Sequence, residues 1–193
     1  MRIGVLALQG GFAEHITALK KLGIDTSEIR KKADLSGEID GLVIPGGEST
    51  VIGRLLGETD LFDPIKELID GGLPVFGTCA GMILLAEKIE NDRAVYFGCI
   101  SITVKRNAYG RQLGSFHTEG AFSDAGKVPM TFIRAPYIVS AGDNVRILAE
   151  VDGIKVAAES ENVLVTAFHP ELTHDLRVHQ HFLDKISSHK SGM

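Results

Sequence analysis

Three apolar runs in the first half of the chain each give way, through a glycine-bearing turn, to residues at helical spacing, and this repeat restricts the fold more than any other feature. Ile3-Gly4-Val5-Leu6-Ala7-Leu8 leads through Gln9-Gly10-Gly11 to Phe12, Ile16 and Leu19. Leu42-Val43-Ile44 leads through Pro45-Gly46-Gly47 to Val51, Ile52, Leu55 and Leu56. Pro74-Val75-Phe76 leads through Gly77-Thr78-Cys79-Ala80-Gly81 to a helix-like run from Met82 to Lys88. Strands without polar alternation are covered on both faces, and helices between them are the crossovers of a parallel sheet. The expected fold is α/β: an open, mostly parallel twisted sheet with helices on both faces in three layers.

Asp63-Pro64 reads as an N-cap with Pro at the first helical position, opening Ile65 to Ile69 and closing at Gly71-Gly72. From about Ala94 to Phe168 the period changes. Ile100 to Val104, Thr131 to Ile133, Arg146 to Leu148 and Lys155 to Ala157 are short β-rich pieces between Gly, Asn and Asp turns, so this section is expected to be antiparallel. A last helix places Val178, Phe182, Leu183 and Ile186 on one face, and Ser187 to Met193 reads as a frayed tail. With 193 residues, 44% hydrophobic, the expectation is one well-cored domain over residues 1–193.

The formal charge of −5 carries no block of like charges, which argues against a nucleic-acid or anionic-membrane surface and for small soluble partners. Only Cys79 and Cys99 are present, too few for a disulfide framework, and no metal-ligand spacing is visible. The apolar run behind Arg2 is broken by Gln9-Gly10-Gly11, unlike a signal peptide, and no stretch approaches the roughly 20 apolar residues of a membrane span. A cytoplasmic protein without metal or cofactor is expected.

The glycine-flanked Cys79 carries the chemistry. A nucleophile on a tight strand-to-helix elbow stands over backbone N–H groups and a helix N-terminus. Near the other end the buried run Val163 to Phe168 reaches His169-Pro170-Glu171. In an open α/β sheet ligands gather at the carboxyl ends of the strands, so the Gln9, Gly46 and Cys79 loops should share one crevice. Hydrolysis of a carboxamide through a thioester needs a thiolate, a proton carrier and donors for the oxyanion. Cys79, His169 and Glu171 can be nucleophile, base and orienter, and the backbone N–H groups of Gly47 and Ala80 can form the oxyanion hole.

These residues resemble the triad-type, class I glutamine amidotransferases, whose glutaminase domains carry a Gly-x-Cys-x-Gly elbow and a late His-x-Glu on a flavodoxin-like sheet. Further motifs are similar to those of the glutaminase subunits of pyridoxal 5′-phosphate synthases. They are Leu6 to Gly10, Glu14-His15, Pro45 to Thr50, Gly77 to Met82, Arg106-Asn107-Ala108-Tyr109-Gly110-Arg111-Gln112, Phe132 to Pro136 and His169 to Leu172. The resemblance spans nearly the whole chain. It implies hydrolysis of L-glutamine to glutamate and delivery of ammonia to a separate (β/α)8-barrel synthase subunit in a hetero-oligomeric complex. It further implies Cys79, His169 and Glu171 as the triad and Gly46, Gly47, Glu48, Ser49, Arg106, Ile133 and Arg134 as glutamine-binding positions. Gln9 is placed on the partner-facing surface that orders the oxyanion hole. His117, where an acidic residue is expected, and Gly11 depart from the pattern and bear on docking rather than on hydrolysis.

Plainer readings stand beside these. Cys99 has no glycine frame and reads as core, and Ser49 alone would be a helix N-cap. His174, His179, His181 and His189 read as a solvated helix surface, because positions two apart on a helix do not face one another. Arg106 and Arg111 would on composition alone be solvated charges. The competing functions are a glutaminase for another ammonia-using synthase and a non-catalytic amidotransferase-like regulatory module. An esterase and a nucleotide binder are disfavoured, since Gly-x-Ser-x-Gly, Walker A and Gly-x-Gly-x-x-Gly sequences are missing.

Overall fold

The computed structural model describes residues 1–106 and 114–191. In chain order its elements are β1 (Arg2–Leu6), α1 (Phe12–Lys21), β2 (Asp25–Ile29), β3 (Gly41–Ile44), α2 (Ser49–Glu58), α3 (Phe62–Asp70), β4 (Val75–Thr78), α4 (Ala80–Leu85), β5 (Ala86–Ile89), β6 (Ile100–Lys105), β7 (Ser115–Ala121), β8 (Lys127–Ile133), β9 (Tyr137–Ala141), β10 (Arg146–Val151), β11 (Ile154–Glu159), β12 (Val163–Thr166) and α5 (Arg177–Ser191). The three apolar runs are β1, β3 and β4. Every residue of β3, β4 and β12 is buried, as strands covered on both faces must be.

The main sheet runs β2-β1-β3-β4-β12-β11-β9-β6-β5, with β10 also paired to β11. From β2 to β12 the pairings are parallel. Thereafter β11 pairs antiparallel with β12, β9 and β10, and β9 with β6. β7 and β8 form a separate antiparallel hairpin. Most of the stretch expected to be antiparallel, Ala94 to Phe168, is so, with two exceptions: β12 returns to pair parallel with β4, and β6 pairs parallel with β5.

Alternation along β4 shows how the layers form. Phe76 packs edge-on against His15 of α1 and His179 of α5 and touches Phe182. The next residue, Gly77, faces Leu85 and Gly81 of α4 on the other side. α1 and α5 therefore lie on one face and α4 on the opposite face. Val178, Phe182, Leu183 and Ile186 are buried, as their spacing predicts.

Several boundaries differ from the sequence expectations. The helix after the elbow stops at Leu85, and Ala86–Ile89 is a strand paired parallel with β6. Glu87 and Lys88 favour a helix by propensity, and the long-range ladder overrides them. α3 begins at Phe62 behind Leu61, so Asp63 sits inside the first turn, where a carboxylate suits the helix dipole, rather than at the cap. Ser49 is the first helical residue of α2 and Glu48 precedes it as the cap position, without a side-chain capping bond. α5 continues to Ser191, so the stretch read as a frayed tail is helical as far as the structure describes it.

Candidate active site

Because β1, β3, β4 and β12 are adjacent and parallel, the segments after them leave the same edge of the sheet. Those segments carry Gln9-Gly10-Gly11, Gly46-Gly47-Glu48, Cys79 and His169-Pro170-Glu171. They surround a cleft of about 430 Å³ that is also lined by Arg106, Ile133 and Arg134. Every site residue expected from the sequence, including Ser49 and Ala80, lines it. A larger cleft of about 530 Å³ lies against α5, but its acidic Glu159 is already paired with Arg146, His181 and Lys185. The sheet-edge cleft instead presents a thiol, an imidazole and open backbone.

Cys79 sits at φ 48° and ψ −99°, a conformation disfavoured for a residue with a Cβ. The elbow is held by Cys79 N–H donating to Thr166 O at 2.7 Å, so the turn after β4 is tied to the end of β12. The Cys79 Sγ lies 3.9 Å from the carbonyl oxygen of Ile133. Arg134 also has positive φ, 43°, and its N–H donates to Gly114 O. Two of the described non-glycine residues with positive φ, Cys79 and Arg134, thus line the cleft.

His169 reaches the cleft through a main-chain bond to Thr131 O at 2.8 Å, and its Nδ1–H donates to Glu171 Oε1 at 2.7 Å. Burial presses the His169 imidazolium toward neutrality, yet hydrogen bonds with Cys79 and Glu171, and their charges, raise its pKa to about 10. Burial likewise pushes the Glu171 carboxyl up, and the imidazoles of His15 and His169 outweigh it and hold the carboxyl below its usual range. The Nε2 of His169 is left for the thiol.

The glycine loop is shaped by contacts that admit no side chain. A Cβ on Gly46 would run into the His169 ring and approach Cys79 Cβ. Gly46 O accepts from Gly11 N–H at 3.1 Å, and Gly10, at φ 94°, packs on that same carbonyl. Every described peptide is trans, so the Gly47 N–H points to the side opposite this carbonyl. Gln9 Oε1 accepts from Glu48 N–H at 2.8 Å, making Gln9 a brace of the loop as well as part of the rim. Arg106 is anchored by Nη1 to Asp92 Oδ2 at 3.0 Å, while its buried Nε and Nη2 find no partner among the described residues.

Sequence reasoning missed three neighbours. Gly11 borders Glu171 directly, since a Cβ there would lie 3.2 Å from Glu171 Oε1. His15 and His179 are fully buried behind Glu171, so the reading of His179 as solvated surface is wrong. The missed signal was spacing: His179 stands three, four and seven residues before Phe182, Leu183 and Ile186, on the apolar stripe. On α1 the buried residues are His15, Ala18 and Leu19, with Phe12 and Ile16 at the edge. His174 is exposed, while His181 bonds Glu159 at 3.0 Å. Cys99 is half-buried, with burial pushing its thiol up to about 11, and His117 bonds Thr131 across the β7–β8 hairpin. Arg111 lies outside the described residues.

An α/β sheet with a cysteine elbow facing a His–Glu pair at its parallel edge defines a class of thiol-bearing amide-hydrolase domains. A family model described as the SNO glutamine amidotransferase family matches residues 5–188, and the chain belongs to that family. It is 56% identical over 191 residues to the pyridoxal 5′-phosphate synthase subunit PdxT of Desulfitobacterium hafniense, covering 99% of this chain and 96% of that one. It is equally 56% identical over 187 residues to the PdxT subunit of Methanocorpusculum labreanum, covering 97% and 98%. A crystal structure titled glutamine amidotransferase superposes with a TM-score of 0.91 at 42% identity, covering 96% of this chain and 98% of that chain.

Proposed function

We propose that this chain is the glutaminase subunit of a pyridoxal 5′-phosphate synthase, hydrolysing L-glutamine through a thioester on Cys79 and delivering ammonia to a (β/α)8-barrel partner. The observation that carries the reading is the convergence of Cys79, His169 and Glu171 on one cleft, with a 2.7 Å His–Glu bond, in a member of this family. The names of the relatives support the synthase.

The chemistry follows from the arrangement. Cys79 attacks the carboxamide carbon as its proton passes to His169, and an S–C bond forms while the carbonyl π pair moves to oxygen. The Gly47 and Ala80 N–H groups receive that oxyanion. Its collapse breaks the C–N bond as His169 gives its proton to the departing nitrogen, releasing ammonia and leaving the thioester. Water then attacks with His169 as base, the C–S bond breaks, and glutamate leaves. Glu171 holds the imidazole orientation throughout. Arg106 meets the substrate α-carboxylate with its guanidinium, whose Nε and Nη2 find no partner among the described residues, and Glu48, Ser49, Ile133 and Arg134 frame the rest of the amino acid. Gln9 takes part in coupling the loop to the partner surface. The protein works in the cytoplasm as one domain without metal or cofactor.

The test is glutamate release from L-glutamine by the purified chain, alone and with the barrel subunit, with Cys79→Ala as control. Strong partner-dependent stimulation, abolished in the folded variant, is expected. Full activity in the variant would overturn the triad, and absence of stimulation would move the assignment to a different synthase.

A further inference from the structure

Oε2 of Glu171 is buried and makes no hydrogen bond among the described residues. His15 Nε2 lies 3.4 Å from it and 3.1 Å from Thr78 Oγ1, next to the nucleophile. His15 Nδ1 in turn faces His179 Nε2 at 3.0 Å, and His179 Nδ1 ends the series without a partner among the described residues. Both imidazoles are fully buried.

Two neutral tautomer arrangements can make the His15–His179 bond. If His15 carried its proton on Nδ1, its Nε2 lone pair would face the Glu171 carboxylate. His179 would then bury an unpaired Nδ1–H. If both rings are protonated on Nε2, His179 donates to His15 Nδ1 and His15 donates into the space between Thr78 Oγ1 and Glu171 Oε2. Only a bare His179 lone pair remains unpaired, and an unpaired acceptor is tolerated better than an orphan donor. We propose that His15 is a positioning residue for the triad, its Nε2–H shared between Thr78 and the second oxygen of Glu171, with His179 locking the His15 tautomer.

This deepens the triad assignment and rests on it. The residues involved come from four places: His15 from α1, Thr78 from β4, Glu171 from the turn after β12 and His179 from α5. The titratable groups acting on His15 are Glu171, His169 and Glu14, and those acting on His179 are His15 and Glu171. Burial drives both rings toward the neutral form the brace requires. A carboxylate that holds a catalytic imidazole must itself be held, and loss of such a supporting hydrogen bond typically lowers activity roughly ten- to a hundredfold.

The experiment pairs kinetics with imidazole 15N NMR on the full chain. At neutral pH His15 and His179 should both report neutral Nε2–H rings. His15→Leu should lower kcat for glutamine hydrolysis with the barrel subunit roughly ten- to a hundredfold while leaving the KM for glutamine near wild type, and should shift the pH profile of Cys79 alkylation by iodoacetamide. His15→Gln, which restores an N–H near the same point, should recover most of kcat. An Nδ1–H or doubly protonated His15, or a folded Leu variant with wild-type kcat and alkylation profile, overturns the proposal. If the Leu variant does not fold, the wild-type spectrum and the Gln variant decide. A Cys79→Ala variant that keeps its activity would instead sink the triad itself.

Discussion

Replacing His179 with Phe, and following unfolding free energy from about pH 7 to about pH 5, isolates one buried proton site. Burial, then the neighbouring His15, lower the His179 pKa to about 3 from an ordinary value of 6.5, and Glu171 offsets this only in part. The sign is set by proton uptake: between these values the unfolded chain binds a proton that the folded chain refuses, so stability is complete above 6.5 and is lost as pH falls toward 3. With these two values, acidification from pH 7 to pH 5 costs the wild type about 2 kcal/mol through His179 alone. For a chain of this size that corresponds to a drop in Tm of roughly 4–8 °C. The Phe ring keeps the packing against Phe76 and Phe182 but cannot titrate, so the stability difference between wild type and variant should move by that amount in the variant's favour. Contributions of groups that do not touch His179 are shared by both proteins and cancel, and His15, which bonds it, is the titrating neighbour whose share differs. His169, raised to about 10, gives stability present below 6.5 and lost toward 10. Glu159, lowered to about 2 where hydrogen bonds from His181 and Arg146 overcome burial, loses its share only below 4.5. Urea titrations at three pH values provide the measurement. A wild-type-minus-variant difference that stays flat between pH 7 and pH 5 would refute a neutral, acid-labile His179.

Two further outcomes follow from the cleft. Gly46→Ala drives a methyl into the His169 ring beside Cys79; glutamate release with the barrel subunit should fall roughly a hundredfold or more while circular dichroism stays native. Arg106→Lys keeps the charge but loses the planar fork whose Nε and Nη2 find no partner among the described residues; if that fork holds the substrate carboxylate as proposed, the KM for glutamine should rise roughly ten- to a hundredfold with a smaller change in kcat, measured by steady-state kinetics.

The parallel half of the fold was legible because β1, β3 and β4 are covered on both faces and therefore read as unbroken apolar runs ended by glycine. The elbow and His-x-Glu were legible because a strand-to-helix nucleophile turn leaves a local glycine signature. Ala86–Ile89 was not, since its strand state comes from a ladder with residues fourteen to fifteen positions on, such as Ala86 with Ile100 and Lys88 with Thr103. His15 and His179 were hidden for a related reason. A histidine on a helix face carries no local mark of burial, and these two become neighbours only when α1 and α5 pack on the same face of β4 across 164 positions of sequence. Gln9 and Gly11 were visible as a turn, yet their bonds to the Gly46 loop depend on β1 and β3 being adjacent in the sheet.

The strain at Cys79 is carried by the packing behind it. A non-glycine residue at φ 48° and ψ −99° costs of order 1–3 kcal/mol, and a lone turn would relax it. Here the residue before it, Thr78, is locked in register with Thr166, the Cys79 N–H is taken by Thr166 O, and all six residues of α4 are buried behind it. Relaxing the elbow would break the β4–β12 edge bond and pull buried apolar side chains toward water, and each such side chain is worth about 1.5–3 kcal/mol when fully buried. The packing therefore outweighs the strain several times over. It keeps the thiol pointed into the cleft before any substrate arrives, and the same sheet edge fixes the imidazole and the glycine loop relative to it, so positioning is settled on folding rather than at each turnover.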